Sequence, residues 1–234
     1  MENKNHHEII PVLGIMLDSI SVPRAVEISQ GYMSNDYFNF VLLADAKMIL
    51  DSRESEELQT FTKSADLILP GDHTIEAAID RAMEGKYQAE YLDQLLNALV
   101  DRRGHLCILC NDADECEKAK ESLLKDYPGV KVDGVVFEQA DEEAMEALVN
   151  TINGYFPDLI LPLVSMEKQR TLLLTHRETL SAKLYVSSEA LSSHLLQEEK
   201  DSPSIVKWLM RRLHIGEAAV ESKFWDEFGK NSQN

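Results

Sequence analysis

Short runs of consecutive apolar residues alternate along the chain with longer stretches in which apolar residues recur every three or four positions. Such runs are typical of buried strands, and the recurrence is typical of helices that bury one face. The clearest helical period lies in residues 91–102, where the apolar positions are Leu92, Leu95, Leu96, Leu99 and Val100. The predicted strands cover residues 8–17 (as a strand pair or one bent strand), 37–43, 66–70, 105–110, 130–137, 159–163 and 184–187.

Helices are predicted between these strands and in the tail, over residues 23–30, 44–63, 74–84, 91–102, 112–126, 145–152, 166–178, 188–199, 203–214 and 216–228. Because alternating strands and helices imply crossover connections, the pattern predicts an α/β fold with a mostly parallel, Rossmann-like sheet and helices on both faces. The acidic segment 197–203 is the predicted internal boundary. It divides an α/β domain, residues 1–198, from a helical C-terminal appendage, residues 199–234.

Composition narrows the classes of function. The net charge of −18 argues against a nucleic-acid partner, because phosphates would be repelled. No apolar run is long enough to span a membrane, and the polar start of the chain predicts a cytoplasmic protein. Walker, dinucleotide-binding, zincin and nucleophile-elbow motifs are absent, and no cofactor is predicted.

The cysteines and the first histidines are interpreted as structural or terminal features. Cys107 and Cys110 have the spacing of a metal or redox pair, but on a strand these positions point to opposite faces. Cys116 lies on the following predicted helix and does not complete a metal set. We therefore predict buried cysteines and no metal site. His6 and His7 lie in a polar terminus, which favours a disordered end over a ligand site.

Ligands of parallel sheets bind beyond the carboxyl ends of the strands, which directs attention to four loops. In the loop 70–74, Asp72 and His73 are candidates for a base and an acid. The alternative is turn chemistry, with a tight turn at Gly71 and an N-cap at Asp72 or Thr74. The other three loops are residues 110–114, 137–141 and 163–169.

Two further groups of residues are candidates for binding. Lys168 is placed to meet a phosphate and Gln169 to bond a sugar hydroxyl, or both belong to a solvated first helical turn. The basic, amphipathic segment Lys207–Leu213 either contacts a membrane surface or packs on its own domain. A third site, for another small molecule, would need Cys110, Asp112 and His73 to cluster.

The order of segments resembles that of the WecG/TagA/CpsF glycosyltransferase family across roughly residues 10–190. The family opens with a glycine-containing strand and an aspartate, and later has a segment of the type A-D-L-V-L-P-D-G. The chain matches these and later segments at Leu13–Val26, Ala65–Asp72, Tyr91–Val100, Gly104–Leu109, Leu123–Gly134, Ile152-Asn153, Pro157–Leu161 and Lys168-Gln169.

The resemblance implies transfer of an N-acetylmannosamine-type sugar from a UDP-sugar to a lipid-diphosphate-linked acceptor. Family members do this without a nucleotide-sugar-type metal motif, at the cytoplasmic membrane, during teichoic acid, antigen or capsule assembly. It implies Asp72 as the catalytic base. It also implies substrate binding by His73, Gly134, Lys168 and Gln169, with a homo-oligomer or an active paralogue as a possible partner.

The ligand loops depart from the family pattern. Gly71 stands at the position of the family's aspartate, with Asp72 one residue later. A double glycine is replaced by Cys110-Asn111, and the glycine-rich loop by 163–167, where Glu167 would repel a nucleotide. The alternative is therefore a catalytically inactive member that acts as a binding or scaffolding subunit. An active enzyme predicts an open, positive crevice, whereas a scaffold predicts a filled crevice with Asp72 as a helix cap only.

Overall fold

The strands form a parallel sheet and a separate hairpin in a computed structural model that describes residues 8–79, 86–138, 141–191 and 218–231. They are β1 (Glu8–Val12), β2 (Ile15–Ser19), β3 (Asn39–Ala44), β4 (Leu67–Pro70), β5 (His105–Cys110), β6 (Lys131–Val136), β7 (Leu159–Pro162) and β8 (Leu184–Ser188). The sheet has six parallel strands in the order β4-β3-β8-β7-β5-β6. This confirms the predicted fold class.

Helices cover both faces of the sheet, as predicted. They are α1 (Val22–Tyr32), α2 (Ala46–Ser52), α3 (Glu56–Lys63), α4 (His73–Ala78), α5 (Tyr87–Asp101), α6 (Ala113–Asp126), α7 (Glu142–Tyr155), α8 (Met166–His176) and α9 (Ala218–Asn231). One hydrophobic core lies between the sheet and α1, α5 and α6, and the other between the sheet and the remaining helices. Strand β3 shows the alternation, since Val41 and Leu43 enter the first core and Phe40 and Leu42 the second.

The segment 44–63 is two helices, so the prediction of a single helix there was wrong. Helix α2 ends at Ser52, and Ser55 caps α3 by accepting the backbone N–H of Leu58 at 3.3 Å. A serine that satisfies an otherwise unpaired N–H favours a new helix start over continuation of the old one. Of the predicted helix 74–84, the described part is α4, and residues 80–85 lie outside the described residues.

Residues 8–17 belong to a strand pair, one of the two predicted alternatives. Strands β1 and β2 are antiparallel, and the turn between them places Leu13 at φ 48° and Gly14 at φ 93°. Two positive φ values are typical of the tight hairpin turn whose twist matches that of the strands. The Asp18 carboxylate accepts the Ile68 N–H at 2.7 Å, so the hairpin covers the exposed edge of β4.

The segments Asp66–Pro70 and Asp158–Pro162 have the same sequence, Asp-Leu-Ile-Leu-Pro, and the same structural role. Asp66 donates its N–H to Phe40 O, while its carboxylate accepts the Phe40 N–H at 2.7 Å. Asp158 makes the equivalent two bonds with His105, the second at 2.9 Å. The sheet therefore contains a repeated strand-pairing unit, which our sequence analysis did not identify.

The C-terminal helix packs against the α/β domain. Phe224 of α9 is fully buried in the second core, and Arg53 pairs with Glu227 at 2.5 Å. The predicted boundary at residues 198 and 199, the segment Lys207–Leu213 and the histidines His6 and His7 lie outside the described residues. No helix in the described part of the chain is long and apolar enough to cross a bilayer.

Candidate functional site

The loops that follow the parallel strands meet at one edge of the sheet. Asp45 follows β3, the loop Gly71-Asp72 follows β4, and Asn111 follows β5. Phe137 follows β6, and Ser187 and Ser188 end β8. Helix α8 begins just after β7 and brings Lys168 and Gln169 to the same edge. This edge is where parallel α/β sheets bind ligands.

Asp72 caps α4 and also fastens two loops together. Its Oδ1 accepts the Ile75 N–H and its Oδ2 accepts the Ala46 N–H, both at 2.8 Å. Burial raises the pKa of the carboxyl group, although these backbone bonds oppose the shift. The N-cap interpretation is confirmed, while a catalytic role for Asp72 stays a prediction.

Gly71 permits the close approach of the two loops. A Cβ atom at this position would lie 2.7 Å from the Leu43 carbonyl oxygen and 2.7 Å from the Ala44 carbonyl carbon. Both contacts are with backbone atoms, which cannot rotate away. Glycine is therefore required here by the packing of β3 against the β4 loop, and not by the backbone conformation of a turn.

Asp45 is a second carboxylate at this end of the site, and our sequence analysis missed it. Its side chain caps α2 by accepting the Met48 N–H at 2.7 Å. Burial, the negative charge of Asp72 and that of Glu189 together raise the pKa of Asp45 to about 7. The residue is half-buried, so an ionisable group that titrates near neutrality lies at the strand ends. The signal in the sequence was an aspartate directly after a buried strand.

His73 lies beside Asp72 and connects the site with the C-terminal helix. Its Nε2 is 3.6 Å from Glu221 Oε1 of α9. Its Nδ1 is buried and has no hydrogen-bond partner in the described part of the chain. The histidine thus lies near Asp72, and it also helps to hold α9 at this edge.

Lys168 lies at the opposite end of the site, against the loops after β5 and β6. Its Nζ donates to Asn111 Oδ1 at 3.0 Å and to the Phe137 carbonyl oxygen at 2.5 Å, and it lies 5.3 Å from the centre of the Phe137 ring. Burial lowers the pKa of the ammonium group, against the attraction of Glu115 and Glu138. These nearby carboxylates make this end less positive than an open phosphate site would be.

Gln169 is buried between the ends of β7 and β8. Its Oε1 accepts the Ser187 Oγ–H at 2.7 Å, and its Nε2 donates to Val164 O at 2.8 Å and to Ser188 O at 3.4 Å. Gln88, at the start of α5, joins this group by donating its Nε2 to Ser188 Oγ at 2.6 Å. Gln169 is therefore a buried, bonded side chain and does not belong to a solvated turn.

The strand order separates the candidate residues into two ends. Strands β3 and β5 are three strand positions apart, or about 14 Å at roughly 4.8 Å for each step. Asp45, Asp72 and His73 lie at the β3 and β4 end, whereas Lys168 and Asn111 lie at the β5 and β6 end. Buried amide and hydroxyl groups occupy the middle, at the end of β8.

Gly134 is in the middle of β6, away from this edge. A Cβ atom there would lie 3.0 Å from both Cβ and Sγ of Cys116, so the glycine lets α6 pack closely on the sheet. The structure thus gives Gly134 a packing contact and does not bring it to the other candidates. A role in substrate binding stays a prediction that this position does not favour.

The cysteines are buried, as predicted, and Cys107 and Cys110 enter opposite cores. Burial raises the pKa of Cys107 to about 12, which keeps the thiol protonated and unreactive. Among the described residues, no group of three or more His, Cys, Asp and Glu side chains is arranged to hold a metal. The third site is not formed either, because β4 and β5 are four strand positions apart and hold His73 far from Cys110 and Asp112.

Comparison with models of protein families gives a match. The model of the glycosyl transferase WecG/TagA/CpsF family matches residues 10–214. No curated protein matches the chain. The family match spans the sheet and all of the candidate residues described above.

Proposed function

We propose that the chain transfers a ManNAc-like N-acetylhexosamine from a UDP-sugar to a lipid-diphosphate-linked acceptor. The basis of the proposal is that the chain belongs to the glycosyl transferase WecG/TagA/CpsF family. The reaction would serve cell-wall or surface polysaccharide synthesis, including teichoic acid. The observation that carries the proposal is the half-buried Asp45 carboxylate at the strand ends, whose pKa is raised to about 7.

Glycosyl transfer needs a group that removes the proton from the acceptor hydroxyl as the new bond forms. A general base works best when its pKa lies near the working pH, and enzymes tune carboxylates into that range with burial and a second carboxylate. Asp45 has both, since Asp72 and burial are the two largest causes of its raised pKa. In this proposal Asp45 is the base, and Asp72 positions it through the bond to Ala46.

The other end of the site suits the departing diphosphate. Lys168 is a cation about three strand positions from Asp45, and it lies in the first turn of the eleven-residue helix α8. The helix N-terminus adds partial positive charge there, which would help to stabilise the leaving group. The sugar would then lie over the end of β8, between the base and the leaving group.

Titration calorimetry with UDP, UDP-N-acetylmannosamine and UDP-N-acetylglucosamine tests the proposal. We expect micromolar binding of at least one UDP-sugar, and transfer to a lipid-diphosphate-linked acceptor that falls about 100-fold or more in Asp45→Asn. Asp101→Asn is the control, because Asp101 is an exposed aspartate at the end of α5, before β5 begins, and lies away from this edge of the sheet. Transfer at wild-type rate by Asp45→Asn would exclude Asp45 as the base.

A noncatalytic binding or scaffolding role is the second candidate. It is favoured by the hydrogen bonds that Asp72, Lys168 and Gln169 form with other groups of the protein. Absence of heat with UDP and both UDP-sugars at millimolar concentration would favour it. A partner, either a second copy or an active paralogue, would then be sought by co-purification.

Membrane contact is a separate part of the proposal. Because the acceptor is lipid-linked, we propose a protein at the inner face of the membrane, held there by the basic segment Lys207–Leu213. Sedimentation with anionic vesicles tests this, and Lys207→Glu with Arg211→Glu should abolish co-sedimentation. Equal sedimentation of this double variant and the wild-type chain would contradict membrane contact through that segment.

A further inference from the structure

Four polar side chains are buried at the carboxyl end of β8, and we name them the β8 polar cluster: Gln88, Gln169, Ser187 and Ser188. None of them is more than 1% exposed. Strand β8 lies between β3 and β7, so the cluster is in the middle of the sheet edge. It therefore separates the Asp45 end of the site from the Lys168 end.

The four side chains form two hydrogen-bonded pairs, Ser187 with Gln169 and Ser188 with Gln88. Ser187 Oγ donates to Gln169 Oε1, and Gln169 Nε2 donates to backbone carbonyl groups. Ser188 Oγ accepts Gln88 Nε2 at 2.6 Å and the Ala190 N–H at 3.2 Å. In this arrangement the Gln88 amide turns its nitrogen toward Ser188.

The oxygen atom of the same amide differs from the nitrogen atom in its hydrogen bonding. Gln88 Oε1 is buried and has no hydrogen-bond partner within the described residues. A buried carbonyl oxygen without a donor costs about 1–3 kcal/mol, so proteins rarely leave one unpaired. Because an amide oxygen only accepts, the missing partner must carry an O–H or N–H group.

We propose that Gln88 Oε1 accepts a hydrogen bond from a hydroxyl or acetamido N–H group of the transferred sugar, which makes Gln88 a specificity-determining residue. The inference rests on the proposed function and adds the residue that reads the sugar. Phosphate oxygens cannot serve, since they lack a donor at neutral pH. The position between the carboxylates and Lys168 favours the sugar over the nucleoside.

Calorimetry with Gln88→Met separates the sugar from the nucleotide. Methionine keeps the length of the side chain and removes both polar atoms. We expect the affinity for UDP to stay within about twofold, while the additional affinity contributed by the sugar falls about tenfold, the effect of one hydrogen bond. Binding of UDP-glucose, which lacks the acetamido group, then shows whether Gln88 recognises that group or a hydroxyl group.

Two controls define the outcome. Gln94→Met changes an exposed residue of the same helix and should leave both affinities unchanged. Ser188→Ala removes the anchor of the amide and keeps its oxygen, so it should weaken sugar binding less than Gln88→Met does. Unchanged discrimination between UDP and UDP-sugar in Gln88→Met would overturn the inference and leave the proposed function standing. Failure of the wild-type chain to bind UDP or any UDP-sugar would overturn both.

Discussion

Asp72 Oδ2 accepts the Ala46 N–H at 2.8 Å, so the loop after β4 is joined to the loop after β3. The bond holds the Asp72 carboxylate beside that of Asp45, the residue before Ala46. Burial raises the pKa of both carboxyl groups, and the negative charge of Asp72 raises that of Asp45 further. The bond therefore contributes, together with burial, to the raised pKa of Asp45 on which the proposed chemistry depends.

Asp45→Asn should stabilise the protein at neutral and alkaline pH. The folded-state pKa of Asp45 is about 7, against an ordinary value of 3.8, so the folded chain holds a proton that the unfolded chain loses. The contribution of Asp45 to the free energy of unfolding is therefore fully present below about pH 4, and it is lost as the pH rises through 7. We expect Asp45→Asn to gain about 2–4 kcal/mol at pH 8 and less than about 1 kcal/mol at pH 4.

Urea unfolding of both proteins at these two pH values measures the difference. Asp141→Asn is a suitable control, because Asp141 caps α7 with one backbone bond and lies away from other candidate carboxylates. A gain that is the same at pH 4 and pH 8 would show that ionisation of Asp45 is not its source.

Asp72→Ala should destabilise the protein more than an ordinary loss of a helix cap. The change removes the bonds from the Ile75 and Ala46 N–H groups, and both of these buried donors lose their acceptor. We expect a loss of about 2–4 kcal/mol, against about 1 kcal/mol for Asp112→Ala, whose carboxylate makes only the cap bond to Glu115 among the described residues. Equal losses in urea unfolding would mean that the bond between the loops contributes nothing measurable.

Gly71→Ala should be strongly destabilising, whereas Gly154→Ala should be mildly stabilising. The new methyl group at residue 71 would lie 2.7 Å from backbone atoms of Leu43 and Ala44, while the one at residue 154 meets nothing within 4 Å. We expect a loss of about 3 kcal/mol or more in the first case. In the second we expect a gain of about 0.5–1 kcal/mol from the helix preference of alanine. Thermal unfolding distinguishes the two, and a tolerated Gly71→Ala would refute the close packing.

Much of the fold could be predicted from local pattern. Alternation of strands and helices sufficed for the parallel sheet, because consecutive parallel strands require crossovers. The break between α2 and α3 was missed, since the cap at Ser55 depends on a single serine in a uniformly polar stretch. The repeat at Asp66–Pro70 and Asp158–Pro162 was visible in the amino-acid sequence. The place of β8 between β3 and β7 was not, because strand order depends on pairing between distant segments.

The candidate site was predicted less completely. Asp72, His73, Lys168 and Gln169 do lie at the strand ends, where helix starts after buried strands suggested them. Asp45 was missed because an aspartate at a helix start looks the same whether or not a second carboxylate lies nearby. Gln88 was missed for a similar reason, since its contact with Ser188 spans 100 residues. Burial and charge from distant segments distinguish these residues, and the sequence does not display either directly.

Lys168→Met should separate the two candidate functions. If the ammonium group binds the diphosphate, its loss should weaken UDP binding about tenfold, because a charge-assisted hydrogen bond contributes about 1.5–3 kcal/mol. Lys118→Met, at an exposed position of α6, should leave binding unchanged and accounts for the general effect of losing one positive charge. If Lys168 serves only to join Asn111 to Phe137, the variant should instead lower stability in urea and bind UDP as the wild-type chain does. Measuring affinity and stability on the same variant therefore decides whether this lysine meets a ligand or only holds two loops together.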